Sequence, residues 1–73
     1  MNITIHCKPS MLTTIKQSGL NWCYSPKSNL DEIDVIIPYT SEVESINDQS
    51  EDDEQFVKHY GLDYSQVNCI ELY

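Results

Sequence analysis

Seven carboxylates lie between residues 42 and 54: Glu42, Glu44, Asp48, Glu51, Asp52, Asp53 and Glu54. No lysine or arginine falls among them. Two or three acids at a helix start are explained by the macrodipole, which favours negative charge there. Seven exceed what capping needs. Carboxylates three or four apart on a helix stand about 5–6 Å from one another. That is loosely comparable with the phosphates of one DNA strand, at about 3.4 Å of axis per charge. A protein groove built for nucleic acid accepts such an array. These seven are the candidate partner-binding residues.

The other chemistry such acids can do is to hold a cation. Asp48-x-Ser50-x-Asp52 resembles the start of a calcium loop. The sixth position is Asp53 rather than Gly and the twelfth is His59 rather than Glu, so the EF-hand pattern fails. His6, Cys7, Cys23, His59 and Cys69 are the zinc-ligand types, and none of their spacings fits C-x₂₋₄-C or H-x₃₋₅-H. No metal and no cofactor is expected. A Cys/His nucleophile pair lacks a supporting motif. The serines and Thr13-Thr14 carry no G-x-S-x-G elbow, and with only Gly19 and Gly61 there is no phosphate-cradling loop. Asp31, Glu32 and Asp34 read as the approach and solvent face of a strand. No catalytic residue is expected, and the chain is not expected to be an enzyme.

The charge is divided along the chain. Residues 1–30 hold Lys8, Lys16 and Lys27 and no acid; residues 31–73 hold all twelve acids and one lysine, Lys58. There is no arginine, and the net charge is −8. Like charges on one compact half repel and cost stability, so a field of this kind suits a positively charged partner. Direct binding to DNA, RNA or anionic membrane is disfavoured, because it depends on neutralising phosphates with Lys and Arg.

The elements that must carry these residues are short. Seventy-three residues make one small domain of marginal stability, spanning residues 1–73. Residues 2–7 alternate, with Ile3, Ile5 and Cys7 on one face, which predicts a half-buried strand. Ser10 is the expected N-cap of a short helix with Met11, Leu12 and Ile15 as its apolar stripe; Gly19 and Leu20 end it in a Schellman motif. Residues 21–24 predict a weak strand and residues 25–29 a turn. Residues 33–40 predict the strongest strand. Residues 41–50 predict a loop or a helical turn, residues 51–60 a helix stopped by Gly61, and residues 67–73 the closing strand. The order is β-α-β-β-α-β, which predicts an α+β domain of ferredoxin-like type, an antiparallel sheet with two helices on one face. The alternative is a three-stranded α+β sheet with an acidic loop.

Three widely spaced cysteines without C-x-x-C predict reduced, mostly buried thiols in a cytoplasmic protein. Neither a secretory signal nor a membrane span is expected. Tyr39, Tyr60, Tyr64 and Tyr73 surround the acidic half and are candidates to stack on a partner's arginine.

In size, acidity and lack of an enzymatic motif, the chain resembles the small anti-defence proteins of phages and mobile elements, the anti-CRISPR and anti-restriction inhibitors, several of which act as DNA mimics. The resemblance is one of type and transfers no site residue. It implies an acidic protein inhibitor in the host-cell cytoplasm. Its partner would be a basic, Lys/Arg-rich nucleic-acid-binding protein such as a nuclease or CRISPR effector. One alternative stands beside it, a non-catalytic interaction or homodimerisation module kept soluble by its acids; a small metal-dependent or hydrolytic enzyme is the third and least favoured hypothesis.

Overall fold

The computed structural model describes residues 1–26 and 31–72. Strand β1 (Asn2–Cys7) leads to helix α1 (Met11–Gln17), strand β2 (Cys23–Pro26) and strand β3 (Ile33–Pro38). Helices α2 (Ser41–Gln49) and α3 (Asp53–His59), a 3₁₀ turn at Tyr64–Gln66 and strand β4 (Val67–Leu72) complete it. The result is a small α+β domain with a four-stranded sheet in the order β2-β3-β1-β4. All three pairings are antiparallel. The three-stranded alternative is therefore overturned.

Alternation along the strands sorts side chains onto two faces. Ile3, Ile5 and Cys7 of β1 and Ile33, Val35 and Ile37 of β3 are buried on one of them. Met11 and Ile15 of α1, Val43 of α2, Phe56 and Val57 of α3, and Leu62 join them in a single core cluster. The helices thus cover one face. The other face bears Thr4, His6, Asp34, Ile36, Cys69 and Glu71, as the strand register requires.

The chain corrects several expectations. Residues 41–49 are a nine-residue helix rather than a loop or a single helical turn, so the second crossover holds two helices where one was expected. The Thr40 hydroxyl accepts the Val43 backbone N–H at 3.3 Å and caps α2. Its two anchors, Val43 and Ile46, pack on the core; three residues apart, they share one face of the helix. Strand β2 runs from Cys23 to Pro26, so Ser25 and Pro26 are strand rather than turn. The rest of that expected turn, residues 27–29, lies outside the described residues, as does the strand end at Tyr73. Ser10 makes no side-chain cap. Its hydroxyl donates instead to Gln66 Oε1 at 2.5 Å, tying α1 to the 3₁₀ turn.

Both glycines close helices as C′ residues. Gly19 and Gly61 have φ of 73° and 76°. The N–H of the next residue reaches back five positions in each case, Leu20 to Ile15 and Leu62 to Val57. That is the Schellman bond, and it needs the left-handed conformation that glycine adopts without a Cβ penalty. The end of α3 is further fixed by aromatic contacts. Tyr60 meets Trp22 edge-on at 4.9 Å and Phe56 at 5.4 Å between ring centroids. Edge-to-face contacts of this kind suit the ring quadrupoles.

Candidate functional site

The seven sequence-predicted acids divide between α2, the link after it, and the first turn of α3. Val43 is buried and turns the acids beside it outward. Glu42, Glu44, Asp48, Glu51, Asp52 and Asp53 are exposed, and Glu54 is partly so. Glu44 and Asp48, four apart, share one stripe of α2 with Ser41, Ser45 and Gln49; together they line a shallow depression of about 360 Å³.

Two of the seven have structural duties. Asp52 is the N-cap of α3: its Oδ1 accepts the Gln55 backbone N–H at 2.9 Å. The Gln55 side chain reaches back to accept the Glu51 N–H at 2.9 Å. Glu54 pairs with Lys58 one turn on, at 2.7 Å. Both groups are exposed and the pair is screened by water, so it adds little stability. Its effect is to remove the one lysine of this half from competition for the other acids. Among the described residues, no ion pair is formed by Glu42, Glu44, Asp48, Glu51 or Asp53.

The aromatics serve this region unequally. Tyr39 and Tyr60 pack against the core. Burial, and then the charge of Glu42, raise the Tyr60 hydroxyl above its ordinary 10.0. Tyr64 is 38% exposed and remains available beside the 3₁₀ turn. There Asp63 is held below the ordinary carboxylate value, first by the Ser65 hydroxyl and then by the Gln66 amide.

A second constellation was not legible from spacing. It lies on the face of the sheet opposite the helices and centres on His6. Strand register sets Asp34 opposite His6 on one side and Cys69 on the other. His6 Nδ1 lies 2.8 Å from Asp34 Oδ1 and 3.9 Å from Glu32 Oε1. Nε2 lies 2.7 Å from Glu71 Oε1, close enough for an ion pair but not aligned as a hydrogen bond. Asp31, Glu32 and Asp34 are expected as the approach and solvent face of β3; Glu32 and Asp34 also converge on a histidine whose side chain is only 10% exposed.

A β-bulge sits at this point. The register of β1 against β4 shifts between His6 and Cys7, so that His6 faces Cys69 while Cys7 faces Val67. Asn68 is the extra residue, and its amide donates to Glu32 Oε2 at 2.6 Å. Bulges re-aim side chains and are over-represented beside functional sites. The signal that would have exposed this cluster is register rather than spacing. His6, Asp34, Cys69 and Glu71 each occupy the polar face of a strand, and only the ladder brings them together.

The cysteines differ accordingly. Cys7 is fully buried beneath the helices, as expected, but Cys23 on an edge strand and Cys69 on the open face are exposed, so the expectation of mostly buried thiols is corrected. Burial pushes the Cys7 thiol up to about 11, with the negative charges of Asp34 and Glu32 adding to the effect. Among the described residues, no helix is long and apolar enough to cross a membrane. No family model matches this chain, and no curated protein and no solved structure does either.

Proposed function

We propose that this chain is an acidic protein inhibitor that docks on the Lys/Arg-lined, nucleic-acid-binding surface of another protein, such as a host defence nuclease or CRISPR effector. The carrying observation is the exposure of the acids of residues 42–54 on α2, its link and the start of α3, with a single lysine neutralising one of them. Such a surface raises encounter rates with a basic partner, and salt weakens it. Docking excludes nucleic acid from the same channel by occupancy and charge, without catalysis. The reading places the protein in the cytoplasm that holds its target. It also takes the fold as ferredoxin-like. In support, β3 lies between β1 and β2 in the sheet and β1 lies between β3 and β4. The two helices of the second crossover are a departure from the simplest form.

The test is capture of partners from bacterial lysate at about 0.05 and 0.5 M salt, where screening lengths differ severalfold. A second arm uses a variant carrying E42Q, E44Q, D48N, E51Q, D52N, D53N and E54Q. Asn at position 52 keeps an N-cap acceptor, so α3 retains its cap. The proposal expects a nucleic-acid enzyme held at low salt, released at high salt, lost by the variant and displaced by added DNA or RNA. Capture that is equal for both chains would overturn it.

The alternative, an interaction or homodimerisation module, has its own observation. Strands β2 and β4 are the two sheet edges, and Tyr24 and Leu72 on them are 50% and 51% exposed. Exposed edges are templates for pairing with a further strand. A dimer in sedimentation that persists at high salt and in the neutralised variant favours this reading.

A further inference from the structure

We infer that the open face of the sheet carries a zinc-type metal site built from His6 Nε2, the Cys69 thiolate and a Glu71 carboxylate oxygen. This goes beyond the acidic docking surface and uses none of its residues. The three donor atoms all lie within 4.8 Å of one another. Around a tetrahedral zinc, with bonds of about 2.0–2.3 Å, donors stand about 3.3–3.8 Å apart. His6 is the fixed member, since its side chain is only 10% exposed. Glu71, whose side chain is 45% exposed, and Cys69, also exposed, lie at the surface, where a change of rotamer closes the remaining distance.

Four features of the cluster fit a metal. First, the donors are of the right kind: thiolate and imidazole together favour zinc over magnesium or calcium. Second, the histidine is oriented as ligands usually are. Nδ1 at 2.8 Å from Asp34 Oδ1 makes the carboxylate–histidine pair that fixes the tautomer and turns the Nε2 lone pair towards Glu71. Third, the outer shell is itself held, because Asn68, the bulge residue, donates to Glu32 beside the same ring. Fourth, the local charge suits a cation. Glu32, Asp34 and Glu71 each come within 4 Å of one imidazole, and carboxylates gathered there attract a divalent ion. The oxygen-rich set His6, Glu32 and Asp34 uses the same ring. Its nitrogen, Nδ1, is the one already committed to Asp34, so that set serves as the support. Three protein donors leave the fourth position to water or to a group from outside.

The probes are zinc and cobalt(II) salts added to chelator-treated full-length protein. One zinc should remain per chain after dialysis. Cobalt should give intense visible absorption of tetrahedral type together with a thiolate-to-metal charge-transfer band. C69S should abolish that band, and E71Q should weaken binding; both positions are exposed, so the fold is kept. D34N should cost about 10–100-fold in affinity, as loss of a supporting carboxylate does. C23S, on the far edge of the sheet, should change nothing. H6Q should lose the site, with circular dichroism checking that the chain stays folded. Absence of stoichiometric zinc in the wild type would overturn the assignment, as would binding that survives C69S and E71Q unchanged. Binding lost only in the variant neutralised across residues 42–54 would overturn it as well.

Discussion

The two faces of this sheet are made from the same strands and obey opposite rules. On the covered face, Ile3, Ile5, Cys7, Ile33, Val35 and Ile37 meet three helices and are almost wholly buried. On the open face no helix among the described residues lies above, yet Thr4 and His6 are each only 8% exposed. His6 is flanked by Asp34 and Glu71 of the neighbouring strands. The first face is held by apolar burial, which has no directional demand. The second is held by polar contacts between one imidazole and its carboxylate neighbours, which are strongly directional. Stability is concentrated on the first face, and chemistry has room only on the second.

Neighbours in β3 test this division most sharply. Ile37 is 1% exposed and faces the helices, while Ile36 is half-buried on the open face, opposite Thr4 and Cys23. Ile37→Ala should destabilise by about 2–5 kcal/mol through lost burial and a residual cavity. Ile36→Ala should cost less than half as much, because the open face can rearrange and admit water. Chemical denaturation of the two variants checks the ratio. Equal losses would show that the open face is covered in solution, by a second copy or another layer.

The thiols give the next effect. Cys7 on the covered face has its thiol raised to about 11 from the ordinary 9.0. The folded state therefore holds this proton more tightly than the unfolded state. Its stabilising effect is fully present below pH 9 and is lost as pH rises towards 11. The loss is on the order of 1–3 kcal/mol across that window. Tyr60, raised from 10.0, adds a loss of the same sign at higher pH. Subtracting the alkaline stability profile of Cys7→Ala from that of the wild type isolates the thiol. At neutral pH the native protein should expose Cys23 and Cys69 to a thiol reagent and withhold Cys7 until unfolding.

The same contrast explains what could be read from sequence. The covered face was legible because it is written twice. Ile3, Ile5 and Cys7 alternate with polar residues, and Phe56, Val57 and Tyr60 follow helical spacing. Gly19 and Gly61 could be assigned because a left-handed C′ is a strong local demand. Helix α2 was obscured because only Val43 and Ile46 anchor it and its cap, Thr40, ends the run read as strand. Ser10 misled because its hydroxyl is drawn 56 positions along the chain to Gln66. The acids of residues 42–54 could be read as a surface since their exposure needs no partner. The His6 cluster could not. Its members come from three strands and the approach to β3, and a one-residue bulge sets which of Asn68 and Cys69 faces His6.

The smallest expected effects separate folding from docking within the acidic region. Thr40 and Asp52 cap α2 and α3 through side-chain oxygens at 3.3 and 2.9 Å from backbone N–H groups. Thr40→Ala and Asp52→Ala should each cost about 1 kcal/mol, the usual loss for a capping side chain. Asp52→Asn should be nearly neutral in thermal melts, since the amide oxygen still accepts the Gln55 N–H. Charge and cap thereby come apart at a single atom. If partner capture weakens in Asp52→Asn while the melting temperature holds, the carboxylate acts on the partner. If capture weakens only in Asp52→Ala and tracks the melt, Asp52 belongs to the helix start, and the docking charge must be sought in Glu44 and Asp48, where no cap is at stake.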